Sequence, residues 1–150
     1  MMDLSQLFSK LNGIGMSGWI DIKDGEVIKR EVENMPKGGV YLEIGVAYGK
    51  SLGIVSYYKD NSVSVYGIDR LDWKNEREKT LNELGVLGKQ IFIHGESEDE
   101  ERKWNLGIDL LFIDGDHTYE GVVKDISLWL PHVKKMGRIM FHDYRGEAGV

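Results

Sequence analysis

Five short apolar runs, spaced by stretches of helical periodicity, constrain this chain more than any other feature. They are VYLEIG (40–45), SVSVYGID (62–69), QIFIHG (90–95), DLLFIDG (109–115) and RIMFHDY (138–144). Each is rich in Val, Ile, Leu, Phe or Tyr and ends near a glycine or an acid, which reads as a strand. The segments 50–59, 74–87, 96–106 and 118–130 between them read as helices. In the last, Tyr119, Val122, Val123, Ile126, Trp129 and Leu130 recur at steps of three and four. Pro131 stops that helix at or near Leu130, and KKMG (134–137) reads as a turn. Upstream, 3–11 and 26–35 read as amphipathic helices separated by the glycine-rich loop NGIGMSGW (12–19). Alternating strands and helices imply right-handed crossovers and a parallel sheet covered on both faces. Strands buried on both faces read as nearly unbroken apolar runs, as LLFID and IMF do. The expected fold is α/β, a Rossmann-like doubly wound parallel sheet of about five strands. It forms a single domain over residues 1–150, with a helical lead-in over 1–35.

Composition narrows the function. Hydrophobic residues at 41% and charged residues at 29% are the balance of an ordinary globular chain. No apolar stretch is long enough to span a bilayer, and the N-terminus lacks the pattern of a signal peptide. The absence of cysteine excludes disulfides and thiolate metal sites and is compatible with a reducing compartment; a cytoplasmic location is expected. A net charge of -6 without a basic run argues against nucleic acid and anionic membrane as partners.

Parallel α/β sheets bind ligands beyond the carboxyl ends of their strands. The segments just past the five runs are Gly45 to Ser51, Asp69 and Arg70, Gly95 to Glu98, Asp114 to His117, and His142 to Tyr144. All are expected along one edge. In EIGVAYGKS (43–51), Gly45 and Gly49 allow tight turning and close approach to a ligand, and amides at a helix start hold an anion. Asp69 follows Gly49 by twenty residues, where a nucleotide-binding βαβ unit places a carboxylate for the ribose hydroxyls. Three readings stay open: a purely structural loop, a dinucleotide site, and a site for S-adenosylmethionine. The loop has G-x-x-x-G preceded by Glu43 and departs from G-x-G-x-x-G. An acid before the loop suits a ligand that carries positive charge as well as a ribose.

Asp114 and Asp143 close the fourth and fifth runs, which a doubly wound sheet places side by side. Two adjacent carboxylates repel unless a cation, a shared proton or solvent lies between them. Oxygen ligands suit Mg²⁺, and a nearby imidazole shifts the preference toward Mn²⁺. His117 stands three residues past Asp114, at the start of the next helix. Imidazole is suited to proton transfer near neutral pH, so His117 is a candidate general base for a substrate hydroxyl. The alternative is a helix-start histidine bonded to backbone or water. Asp116 either orients His117 or caps the helix. His94 and His132 read as structural or surface residues.

In this order and spacing, EIGVAYGKS, YGID, FIDGDHTYEGV and FHDY resemble the class I S-adenosylmethionine-dependent methyltransferases. More narrowly they resemble the macrocin O-methyltransferase-like group, which includes cephalosporin-hydroxylase-type proteins; catechol O-methyltransferase is a more distant likeness. The resemblance covers residues 17 to 150. It implies that Glu43 sits behind the loop and orients the methionine amino group. The amides around Gly45 and Ala47, with the hydroxyl of Ser51, would hold the methionine part, Gly49 would belong to the same cofactor-binding loop, Asp69 would take the ribose, and Ser97 and Glu98 would lie along the adenine. Asp114 would serve cofactor, catalysis and metal alike. By the resemblance, a divalent cation would take Asp114, His142 and Asp143, although His142 and Tyr144 stand where relatives often have a second carboxylate or an asparagine. The implied activity is methyl transfer to a hydroxyl of a small molecule or sugar, with S-adenosylmethionine as donor and Mg²⁺ or Mn²⁺ assisting. The alternatives are a non-catalytic S-adenosylmethionine-binding domain and a nucleotide or dinucleotide enzyme. Trp19, Met16 and Tyr144 are candidates either for the acceptor pocket or for packing. Methyltransferases of this class usually continue past the fifth strand with a two-strand return. A chain stopping at RGEAGV is therefore expected to be truncated or minimal, with an open edge that invites pairing into a homo-oligomer.

Overall fold

The apolar runs become the five strands of one all-parallel sheet in a computed structural model, which describes residues 1–16 and 19–142. The expectations for Asp143 and Tyr144 lie outside the described residues. In chain order the strands are β1 (Val40–Ile44), β2 (Ser64–Asp69), β3 (Ile91–His94), β4 (Ile108–Ile113) and β5 (Val133–Phe141), and their spatial order is β3-β2-β1-β4-β5. The chain reverses direction across the sheet between β3 and β4, so β1 and β4 are neighbours at the sheet's centre. The helices are α1 (Leu4–Gly13), α2 (Ile22–Glu33), α3 (Lys50–Tyr58), α4 (Lys74–Glu83), α5 (Ser97–Glu101) and α6 (Tyr119–Trp129). The doubly wound α/β fold is as the sequence implies.

Each face of the sheet carries its own core. Tyr41, Val65, Leu110 and Phe112 point to the side covered by α1 to α4, where Leu7, Leu11, Ile28, Val32, Leu52 and Leu81 meet them. Leu42, Ile44, Ile68, Leu111 and Ile113 point to the other side, against Trp129 of α6 and Trp104. Period-two alternation along β1 and β4 sends successive side chains to these two layers. Trp129 is fully buried, with its ring 5.6 Å from that of Trp104, and its indole N–H donates to Ser97 Oγ at 2.7 Å.

α4 and α5 end at Glu83 and Glu101, short of the residues 87 and 106 that the sequence reading gave, and α2 and β5 differ as well. α2 begins at Ile22, ahead of residue 26, because Asp21 and Asp24 form a reciprocal cap. Asp21 accepts from the amides of Lys23 and Asp24 at 2.8 and 2.9 Å, and Asp24 accepts from the Asp21 amide at 2.9 Å. The first turn is polar, and apolar periodicity does not register it. β5 begins at Val133, and KKMG is strand rather than turn. Ile108 pairs with Val133 and Leu110 with Arg138, so residues 134–137 are the stretch where β5 breaks register with β4.

The buried indole is the heaviest single element of the second layer. Trp129→Ala should lower the unfolding free energy by about 3–5 kcal/mol, measured by urea denaturation, since it removes a filled volume and a buried hydrogen bond together.

Candidate functional site

The strand tips end in register. Ile44 is level with Ile68 and Ile113, Asp69 with His94, and Ile113 with Phe141. The next residues continue the ladder: the Gly45 amide donates to Ile68 O at 2.9 Å and the Asp114 amide to Ile44 O at 2.8 Å. Gly95 bonds to Asp69 O at 2.9 Å and His142 to Ile113 O at 3.2 Å. Residues remote in sequence therefore stand in one row above the sheet. Over that row lies a cleft of about 1170 Å³.

Gly45, Ala47, Asp69, Ser97, Glu98, Asp114 and His117 all line this cleft. The loop after β1 needs its glycine: Gly45 has φ +85°, and a Cβ there would strike the carbonyl of Asp114. Asp69 grips the same loop. Its Oδ2 accepts from the amides of Val46 and Ala47 at 2.9 and 2.7 Å, and its Oδ1 from Leu71 at 2.8 Å. Those two loop amides, expected to face a ligand, are already engaged by the carboxylate.

Glu43, Gly49 and Ser51 lie behind the loop and do not line the cleft. Gly49 caps α3 with φ +75°. Glu43 is fully buried; it accepts a hydrogen bond from Tyr41 Oη at 2.8 Å and a very short one from Ser51 Oγ. Burial pushes the Glu43 carboxyl up to about 8, against the pull of the Ser51 and Tyr41 hydroxyls and with the help of the Asp114 and Asp69 charges.

Ser97 opens α5 and joins it to α6: Ser97 Oγ donates to Asp125 Oδ1 at 2.7 Å and accepts from Trp129. Asp125 is buried at the cleft wall, and burial raises its carboxyl above the usual range. The sequence reading passed over it. The signal was present, because Asp125 shares the inward face of α6 with Val122 and Trp129. Glu98 pairs with Lys124 at 2.7 Å, also across α5 and α6.

His117 lies on the exposed turn between β4 and α6 and faces the cleft. Thr118, not Asp116, caps α6, its hydroxyl accepting from the Gly121 amide at 3.0 Å. Asp116 accepts from the Thr118 amide at 2.9 Å, which holds its carboxyl below the usual range. His94 and His132 stay apart from the cleft lining: His94 faces Arg70 O at 3.0 Å, and His132 faces Glu101 at 2.6 Å.

His142 is buried beside Asp114, with its Nδ1 3.0 Å from Asp114 Oδ1 and its Nε2 3.4 Å from Asp24 Oδ2 of α2. Among the described residues no three ligating side chains converge as a metal's donors, and Asp114 turns one oxygen to an imidazole nitrogen. Asp143, the third residue of the expected set, lies outside the described residues.

A sheet of order 3-2-1-4-5 with a cleft at the β1 and β4 tips is the Rossmann-like core that class I S-adenosylmethionine-dependent methyltransferases share with other nucleotide-binding α/β proteins. A family model described as a methyltransferase domain matches residues 42–144, and the chain belongs to that family. It is 33% identical over 118 residues to an uncharacterized protein of Acanthamoeba polyphaga mimivirus, covering 70% of this chain and 51% of that one. Its fold is similar to that of the O-methyltransferase TomG from Streptomyces achromogenes, involved in tomaymycin synthesis and solved with its methyl donor. The TM-score is 0.71 at 14% identity, over 94% of this chain and 66% of that one. It is also similar to a methyltransferase from Geobacter sulfurreducens solved with S-adenosylhomocysteine, with a TM-score of 0.66 at 19% identity, over 94% and 56% of the two chains. The chain thus spans about half the length of the viral relative. No helix among the described residues is long and apolar enough to cross a membrane.

Glu43 gives the site a pH signature. The folded state keeps its proton up to about 8, whereas the unfolded chain releases it near 4.5. Between these values the folded state binds more protons, so stability should fall as pH rises, by up to about 1.4 kcal/mol per unit. Glu43→Gln, which stays neutral, should flatten that slope in urea titrations across the same window. An unchanged slope would mean that another group sets it.

Proposed function

We propose that the chain binds S-adenosylmethionine in this cleft and transfers its methyl group to a hydroxyl oxygen of a small molecule. The observation that carries the reading is the convergence of Gly45, Asp69, Ser97 and Asp114 on one cleft in a chain of the methyltransferase-domain family. The motif order favours the macrocin O-methyltransferase-like group, and the fold likeness to TomG agrees with an oxygen acceptor.

When bound, the donor supplies a methyl group already activated on a sulfonium. Asp69 holds the ribose end: its Oδ1 takes one amide and keeps a lone pair for a hydroxyl, while its Oδ2 is filled by the two loop amides. Ser97 and Glu98 flank the adenine end, with Ser97 fixed in place by Asp125 and Trp129. Glu43, through Ser51, sets the start of α3 beneath the methionine end. His117 takes the proton of the acceptor hydroxyl as that oxygen attacks the methyl carbon in line with the breaking carbon–sulfur bond. The bonding pair leaves with sulfur. Fixing donor and acceptor in this line supplies roughly 7–11 kcal/mol of the acceleration. His142 Nδ1 stands 3.0 Å from Asp114 Oδ1, and the Asp114 amide bonds to Ile44 O, which fixes the β4 tip beside Gly45.

Titration calorimetry with S-adenosylhomocysteine tests the binding half. The wild-type chain should bind it and should not bind NAD; failure to bind it removes the reading. Asp69→Ala should weaken that binding by at least about tenfold, since a charged hydrogen-bonding partner is lost. His117→Ala should keep the affinity and lower turnover by about 10²–10⁴, the range of a general base. Turnover equal to wild type would remove His117 from the chemistry.

A further inference from the structure

Two residues other than glycine have a positive φ among the described residues, Trp19 at 40° and Ala47 at 45°, and both line the cleft. Such backbone persists only where its surroundings hold it, and it concentrates where a site needs a side chain in an unfavoured place. Ala47 belongs to the loop that Asp69 grips. Trp19 has no such role in the donor site, yet it is 74% exposed, a large apolar ring left to water. It is also ordered by stacking. Its ring lies 5.8 Å from that of Tyr48 at an interplanar angle of 23°, and Tyr48 meets Trp73 edge-on at 5.1 Å. Trp73 and Leu71 line the same cleft, with Leu71 half exposed. Tyr48 belongs to the loop after β1, two strands from the Gly95–Asp99 segment assigned to adenine. The exposed indole therefore joins an aromatic group built on the loops after β1 and β2.

The charge of the cleft bears on what this platform takes. Six acidic side chains besides the buried Asp125 line it, against one arginine and one lysine as fixed cations. Lys124 is committed to Glu98 at 2.7 Å, and the Arg70 charge acts on Asp116. An anionic acceptor would enter against this field, whereas a neutral or cationic one would not.

We propose that Trp19, backed by Tyr48 and Trp73, is the specificity-determining platform for the methyl acceptor. The acceptor is a hydroxyl compound with a flat apolar face and no negative charge. The inference rests on the cleft being the methyl-donor site. Flat faces of this kind occur on phenolic rings and on sugar rings, and both cover an indole well. Acceptors that carry a carboxylate, a phosphate or coenzyme A are disfavoured by the acidic lining.

The experiment uses the full chain saturated with S-adenosylhomocysteine, whose own binding is measured first. Phenol, tyramine and 4-hydroxybenzoate then serve as probes of one ring with three charges, and methyl β-glucoside as the sugar-face probe. Binding is followed by ligand-observed NMR and by quenching of tryptophan fluorescence. Phenol, tyramine or the glucoside should bind, and 4-hydroxybenzoate should bind at least about tenfold more weakly than the other two phenols. Which of the ring types binds identifies the source of the flat face. Trp19→Ala should weaken probe binding about tenfold and leave S-adenosylhomocysteine affinity within about twofold, and Trp19→Phe should restore most of it. Three outcomes overturn the proposal while the donor still binds: no probe binds, the anionic phenol binds as well as the others, or Trp19→Ala binds the probes like wild type. Loss of donor binding in the wild-type chain instead strikes at the methyltransferase reading itself.

Discussion

Asp69 holds three backbone amides, and the shape of the cleft follows from that grip. Two of the amides, from Val46 and Ala47, belong to the loop after β1; the third, from Leu71, belongs to the loop after β2. One carboxylate thus locks two adjacent strand ends to each other. The loop pays for its course with Ala47 at φ 45°, a strain of about 1–3 kcal/mol. Hydrogen bonds to a charged acceptor are worth about 1.5–3 kcal/mol each, so two of them are enough to hold it. Gly45 completes the arrangement, because only a residue without a Cβ lets β1 pass the Asp114 carbonyl. The cleft is therefore shaped without a ligand, and little ordering remains to be done on binding.

The acids around the cleft fall into two groups by solvation. Glu43 and Asp125 are buried, and burial raises both carboxyls, so each holds its proton more tightly than a carboxylate in water. Asp116 and Glu98 are exposed and held below the usual range, the first by the Thr118 amide and the second by Lys124. The negative field of the cleft comes from the rim, while the buried acids act mainly as hydrogen-bonding struts. Glu43 braces the start of α3 through Ser51, and Asp125 braces the start of α5 through Ser97. Both struts stand under segments that meet opposite ends of the proposed donor.

The strand ends were legible in the sequence because a parallel sheet has few places to put them. Continuous apolar runs mark strands buried on both faces, and crossovers then bring every carboxyl end to one edge. That logic correctly places Asp69, Ser97, Asp114 and His117 on one cleft, although they span nearly fifty residues. It says nothing of which atoms face which. Asp69 turned inward to its own loop, Ser97 became a relay between Trp129 and Asp125, and Thr118 took the cap that Asp116 could have filled. Such choices depend on angles and distances set by packing, which periodicity does not encode. The β5 stretch at 134–137 shows the same limit from the other side. Two lysines and a glycine look like a turn, but pairing with β4 resumes after a slip and keeps the backbone extended.

The lead-in helices belong to this site as much as the sheet does. Asp24, in the first turn of α2, shares its carboxylate between the Asp21 amide and a position 3.4 Å from His142 Nε2. His142 in turn faces Asp114, so a chain of contacts runs from the N-terminal segment through the end of β5 to the tip of β4. The start of α2 is thereby tied to the cleft floor, three residues after Trp19 leaves the rim. An exposed indole in an unfavoured backbone conformation would swing freely if its flanks were loose. Here one flank is a capped helix anchored through Asp24, and the ring itself rests on Tyr48. Anchoring of that kind spends conformational entropy on a side chain that gains little burial from it. The cost makes physical sense where a ligand, rather than the protein, supplies the other face of the ring.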